Sequence, residues 1–343
     1  MAATGVQIGS LWDHAVNIYR QKQKEKEKQC IESTMFFVGS RQAGKTSIIY
    51  KFLERTDHPK PSVALEYFFG RRSLFGSSSD VCHIFELAGG ASFKKMVAIP
   101  ITPQNLMSLV VILVLDLSVP DELFITMDTL LTAIRERIKD VIGQSEQTIP
   151  GLATSVDSAA RARIGENHQD RYIMDIFPVP LLILGTKYDM FRDFEPEHKK
   201  IVCRCLRFLA HAHGASLQFV SQQTPDVLSS RVQAVLKKRE IAREKPNVDY
   251  NTALNIAIAE DSFEHIGIFD VTNRASLEIA KKACRELMRK TFGEKDIDIH
   301  PEDSGRDANF KEYDIDIVLA QKLRELELED SSQNLLNMDI TDL

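Results

Sequence analysis

Residues 39–46 read Gly39-Ser40-Arg41-Gln42-Ala43-Gly44-Lys45-Thr46, a complete G-x-x-x-x-G-K-[ST] phosphate loop. The chemistry such a stretch supports is concrete. Gly39 and Gly44 let backbone N–H groups curl around a phosphate, with Ser40, Arg41, Gln42 and Ala43 forming the wall between them. The positive end of the following helix adds to the attraction. Lys45 would then reach the β- and γ-phosphates, and the Thr46 hydroxyl would ligate Mg²⁺. A chance Gly/Lys turn is the competing reading. Against it stand the flanks, an apolar run Thr34–Val38 before the loop and a helical-looking segment Ser47–Leu53 after it.

Four further segments fall in the order that a GTPase-fold domain uses. Glu86-Leu87-Ala88-Gly89 closes a strand and resembles the D-x-x-G turn that senses γ-phosphate and Mg²⁺. Thr186-Lys187-Tyr188-Asp189 follows a buried strand and resembles [NT]-K-x-D. Asp189 would there accept both guanine N–H groups, with Lys187 along the base plane. Ser221-Gln222-Gln223 stands after the last strand, where a short loop touches the base, and Ser62 where a switch threonine is usual. Taken alone, T-K-x-D is a common surface turn; its position behind a buried strand gives it weight.

The catalytic details depart from an active enzyme. Glu86 replaces the usual aspartate, a longer arm that would displace a Mg²⁺-bound water. Gly90 stands where Ras-like enzymes place the glutamine that orients attacking water. Arg41 and Gln42 occupy loop positions where small residues are preferred; Arg41 is either a built-in arginine finger, a steric block or a solvent-exposed side chain. Hydrolysis is expected to be slow or absent.

The elements that must hold these residues alternate. Val81–Leu87, Leu109–Asp116, Val179–Gly185 and Ser216–Val220 read as strands, the second a continuous β-branched run suited to a buried parallel strand. Phe124, Met127, Leu131, Ile134, Ile138 and Val141 recur at helical steps, as do Ile201, Val202, Cys205, Phe208, Leu209 and Ala212, and then Val227 to Leu236. Such alternation predicts an α/β fold, a P-loop GTPase-like doubly wound sheet with helical N- and C-terminal extensions. We expect a helical extension over 1–32, the GTPase-like domain over 33–240, a loop and helical extension over 241–328, and an acidic, disordered tail over 329–343. Residues 143–171, polar and weakly periodic, read as an insertion partly without structure. Two terminal helices are ambiguous: one carrying Leu11, Trp12, Ala15, Val16 and Tyr19, the other Ile315, Leu319, Leu323 and Leu326. Either packs on its own domain or serves a partner.

Composition narrows the class. A 43% hydrophobic and 27% charged chain of 343 residues can build a real core. No apolar run approaches a membrane span, and the N-terminus lacks a signal pattern, so an intracellular protein is expected. Five scattered cysteines suit reduced core thiols. From Glu294 onward 15 acidic face 5 basic residues, so the net charge of −6 hides an acidic arm on a near-neutral body. The basic run Arg20–Lys28 alternates with Gln and Glu, a solvated face, and nucleic acid is not an expected partner.

Longer words carry a sharper resemblance. Pro61-Ser62-Val63-Ala64-Leu65-Glu66-Tyr67, Gly70-Arg71-Arg72, His83–Gly90 and the block Phe177–Phe219 are similar to cytoplasmic dynein light intermediate chains, above all the ciliary type 2 form. The likeness covers roughly residues 10–240, and 275–328 in layout. It implies a non-catalytic subunit that binds and stabilises the dynein-2 heavy chain for retrograde intraflagellar transport and cilium assembly. Implied partners are that heavy chain, the other dynein subunits and, indirectly, the transport machinery. The implied places are cytoplasm, cytoskeleton and cilium, including axoneme and basal body. Type 1 chains carry a long Pro/Ser/Gly-rich extension, which residues up to Leu343 do not show. GTP or GDP with Mg²⁺ is then a possible structural cofactor. The alternatives are an active Ras-like switch GTPase regulating trafficking and, with less support given Asp189, a P-loop ATPase or small-molecule kinase.

Overall fold

A computed structural model describes residues 32–59, 62–71, 81–221, 247–294 and 313–341. Its centre is a seven-stranded sheet in the order β2-β3-β1-β4-β5-β6-β7. The strands are β1 (Glu32–Gly39), β2 (Leu65–Arg71), β3 (Val81–Leu87), β4 (Leu109–Asp116), β5 (Leu181–Thr186), β6 (Ser216–Phe219) and β7 (Asn255–Ile256). β3, β1, β4, β5 and β6 run parallel; β2 and β7 close the two edges antiparallel.

The continuous apolar strands follow from burial on both faces. Along β4 the side chains alternate: Val110, Ile112 and Val114 join Met35, Phe37, Ile49 and Phe52 in one core, while Val111, Leu113 and Leu115 join Phe36 and Val38 in the other. The first core lies under α1 (Lys45–Phe52). The second lies under α2 (Pro120–Ser145), α5 (Pro196–Ala212) and α7 (Arg274–Phe292). Each fully buried Phe here is worth roughly 2–3 kcal/mol. Between them in sequence sit α3 (Leu152–Ile164), α4 (Tyr188–Phe191) and α6 (Phe263–Ile266).

Three expectations need correction. The 143–171 insertion is ordered: α2 runs to Ser145, and α3 buries Leu152, Val156, Ala160 and Ile164 at four-residue steps, a pattern diluted by the many alanines and serines between them. The sheet does not end near 240. β7 pairs with β6, and α7 buries Leu277, Ala280, Cys284 and Met288 against α5 and α2. A two-residue strand is too short to leave a period, which is why the boundary fell early. Finally, α8 (Tyr313–Thr341) extends through 329–341, the stretch expected to be a disordered tail; the Leu, Ala, Gln, Lys, Arg and Glu residues of 319–329 favour the helix that runs on into it.

α8 belongs to a unit separate from the sheet domain, and its Ile315, Leu319, Leu323 and Leu326 side chains are exposed. The Trp12 helix and the Val227–Leu236 helix lie outside the described residues. The edge strand β2 carries no long periodic signal and was not foreseen as a strand. No helix among the described residues is long and apolar enough to cross a membrane.

Candidate functional site

The strand-to-helix turn after β1 is built around Gly39. Its φ is +138°, and a Cβ there would fall 1.8 Å from the Val114 carbonyl oxygen, so no side chain fits. That close approach lets the Ser40 N–H donate to Val114 O at 2.9 Å, locking the loop onto β4. Gln42 and Gly44 also turn into the left-handed region, at φ +55° and +82°. Gly44 caps α1, whose first residue, Lys45, is 4% exposed. Lys45 Nζ donates to Ser40 O at 2.8 Å. Burial brings its pKa down to about 8, against the raising influence of the Glu86 charge. Arg41 and Gln42 are exposed, while Ser40 and Ala43 are buried.

Thr46 is the junction of three segments. Its Oγ1 donates to Glu86 Oε1 at 2.8 Å, at the end of β3, and lies 3.3 Å from Ser62 Oγ. Glu86 Oε2 is buried and has no hydrogen-bond partner. Burial pushes the Glu86 carboxyl up; the Thr46 bond and the Lys45 charge pull against it. Hydroxyl and carboxylate oxygens with one oxygen unspent are hard donors of the kind that Mg²⁺ takes, so this set fits that ion. Thr46 and Glu86 would hold it, and it would neutralise phosphate charge. Gly89 and Gly90 follow at φ +68° and +62°. A Cβ on Gly90 would stand 3.5 Å from the Arg41 amide nitrogen, so this side-chain-less position faces the loop.

Because the central strands are parallel, the ends of β1, β3, β4, β5 and β6 share one edge, where ligands of open α/β sheets bind. Asp116, ending β4, joins the groups along it. Its N–H reaches Ser40 Oγ at 3.5 Å, Ser118 donates to its Oδ1 at 2.6 Å, and Lys187 Nζ donates to its Oδ2 at 2.5 Å. Thr186 Oγ1 donates to Leu115 O at 3.1 Å. Lys187, at φ +56°, then turns the chain so that the Tyr188 N–H donates to Val220 O, tying the turn that carries Asp189 to the segment after β6, where Ser221 lies. Asp189 is exposed and Ser221 half-buried.

No protein-family model matches the chain. Curated proteins similar to it include cytoplasmic dynein 2 light intermediate chain 1 of Homo sapiens, 36% identical over 310 residues that span 86% of this chain and 87% of that protein. The protein of the same name from Danio rerio is 35% identical over 345 residues, 94% of each. The chain belongs to the cytoplasmic dynein 2 light intermediate chains. The crystal structure of a dynein light intermediate chain's conserved domain also superposes on it, with a TM-score of 0.57 at 14% identity, covering 79% of this chain and 96% of that one. That likeness is one of fold.

In this light intermediate chain the structure gathers Gly39–Thr46, Ser62, Glu86 and Gly89 around the loop, and Thr186, Lys187, Asp189 and Ser221 along the same sheet edge. Sequence reasoning missed Asp116 and Ser118. The signal was present, an acidic residue ending the run LVVILVL, but a buried charge declares itself only when its partner Lys187 is known to lie across the strand.

Proposed function

We propose that this light intermediate chain is a non-catalytic subunit of the dynein-2 motor, binding and stabilising its heavy chain for retrograde intraflagellar transport. It acts with the motor in the cytoplasm and cilium, at the axoneme and basal body. The names of its relatives support the assembly. The observation that carries the non-catalytic half is Gly90: the position facing the loop has no side chain with which to orient water. GTP or GDP with Mg²⁺ is then a structural ligand, held by Gly39–Thr46 and Glu86, with Asp189 and Ser221 toward the base. Bound nucleotide stabilises the fold by linkage, without turnover.

For docking, the edge of the sheet offers an apolar face. On β2, Tyr67 and Phe69 are exposed, Phe69 by 62%, beside Val63. Tyr67 and Phe69 stand opposite Phe85 and His83 of β3; the Tyr67 ring stacks with those of Phe69 and His83 and is tilted against Phe85, and Tyr67 Oη lies 2.7 Å from His83 Nδ1. Exposed aromatic clusters of this kind mark interaction sites. Phe69→Asp should abolish capture of the heavy-chain tail while leaving the thermal midpoint unchanged; capture at wild-type strength would remove this face from the interface. The intact loop and the Thr46–Ser62 contact favour a second reading, a switch GTPase. Single-turnover GTP hydrolysis together with nucleotide-dependent partner binding would establish that reading instead.

A further inference from the structure

Away from the phosphate loop, three segments meet at a cluster that the proposed function does not use. His168 and Asp170 lie in the turn after α3, and His211 lies in the last turn of α5. One ligand atom from each falls within 4.8 Å of the others. His211 Nε2 and Asp170 Oδ2 are 2.8 Å apart, and the two imidazole rings are 5.3 Å apart. In a tetrahedral zinc site, bonds of about 2.0–2.1 Å set the donors roughly 3.3 Å from one another. One pair thus stands inside that spacing, and the remaining donors, within 4.8 Å, need only close in slightly around an ion.

The surroundings already resemble an outer coordination shell. His168 Nε2 lies 3.1 Å from the Asp261 carbonyl oxygen, the bond that fixes a ligating imidazole with Nδ1 as its donor atom. Nδ1 now accepts only a 3.2 Å bond from the Asp170 N–H. The Asp170 carboxylate takes a further 3.0 Å bond from the Phe263 N–H. Asp261 is itself anchored by a buried two-point pair with Arg207, at 2.8 and 2.9 Å. Burial raises the Asp170 carboxyl, but His211 and the Phe263 N–H outweigh it and hold it low, so the carboxylate form needed by a metal is present at neutral pH. An open cleft of about 460 Å³, lined by Asn167, His168, Glu260 and His265, reaches the cluster at His168 and gives a route from solvent to that imidazole.

We propose that His168, Asp170 and His211 form a zinc-type divalent-cation site that clasps the turn after α3 to α5 and, through Asp261 and Phe263, to the 257–266 segment. On binding, His211 moves its proton from Nε2 to Nδ1, and the metal replaces that proton between imidazole and carboxylate. Two imidazoles and a carboxylate favour Zn²⁺ over Mg²⁺, which separates this site from the oxygen-only pair Thr46 and Glu86.

Cobalt titration of the full, metal-stripped chain tests this. The expected result is a tetrahedral Co²⁺ absorption band that saturates at one equivalent and is displaced by Zn²⁺. Zn²⁺ at about a hundredfold excess over Kd should raise the unfolding midpoint by roughly 5 °C, reversibly with chelator. His168→Asn, at a half-buried position, leaves the His211–Asp170 bond intact and should weaken binding by more than ~100-fold. Thr46→Ala should leave the band unchanged. Absence of the band, its survival in His168→Asn, or its loss in Thr46→Ala would each overturn the proposal and leave the cluster a hydrogen-bonded clasp only.

Discussion

Lys187 Nζ stands 2.5 Å from Asp116 Oδ2, so the lysine of the T-K-x-D segment is anchored to the end of the neighbouring strand. The carboxylate is 5% exposed and the ammonium 37%. Asp116→Asn keeps the acceptor for Ser118 but removes the charge. With solvent screening at the lysine end, we expect about 1 kcal/mol of lost stability. GDP affinity should fall several-fold as Lys187 loses its fixed position. A fluorescent-GDP titration beside thermal unfolding checks both; unchanged affinity would detach Lys187 from base recognition.

Lys45 is held in the folded chain at a cost. Its pKa is down at about 8, well below that of a free lysine, because burial disfavours the charged form. At neutral pH that corresponds to up to roughly 3 kcal/mol against folding. Lys45→Met should therefore raise the thermal midpoint of the ligand-free protein while eliminating any stabilisation by GDP.

For a phosphate bound at the loop as proposed, the same residue would set the pH dependence. A phosphate beside Lys45 raises its pKa, so the complex binds more protons than the free site above pH 8, and affinity must fall as pH rises from about 8 toward 10. Calorimetry at pH 8.5 in buffers of different ionisation enthalpy should report net proton uptake on binding GDP. Proton release would contradict this account of the loop.

Acid stability turns on His213. Burial, then the neighbouring Lys281 and Arg135 charges, pushes it down to about 3, with Asp175 opposing. The unfolded chain takes up this proton near pH 6.5 and the folded chain does not, so stability present above 6.5 is lost as pH falls toward 3. His213→Phe should flatten that acid limb by a few kcal/mol in denaturant titrations at pH 7 and pH 4.5.

Two glycines should behave differently. Gly39→Ala drives a Cβ into the Val114 carbonyl, which belongs to a central strand and has nowhere to go. We expect a loss of several kcal/mol or no folded protein. At Gly90 the Cβ of a glutamine meets nothing closer than 3.5 Å, so Gly90→Gln should cost only about 1–2 kcal/mol for its left-handed φ. GTP hydrolysis seen in that variant and absent from the wild-type chain would trace the proposed non-catalytic behaviour to the missing side chain.

Where the pattern is strong, sequence and structure agree closely: β3 and β4 begin and end at the residues expected, β4 because both its faces are buried and β3 because buried and half-buried side chains alternate along it. The phosphate loop was legible because its glycines answer a local need. What escaped depends on distant partners. β2 is recognisable only beside β3, Asp116 only beside Lys187, and the His168–Asp170–His211 cluster joins residues about forty positions apart. α3 was hidden by small residues that weaken its apolar face, although one buried side chain per turn suffices to seat it.

The placement of α7 has a bearing on biosynthesis. The apolar flanks of α2 and α5 are covered by Leu277, Ala280, Cys284 and Met288, which leave the ribosome last among the parts of this sheet domain. Until residue 292 is free, the nascent domain exposes surface that a holding chaperone would recognise. A fragment ending near 240 is therefore an unfinished domain with an adhesive flank, and its failures in a binding assay would report aggregation instead of lost affinity.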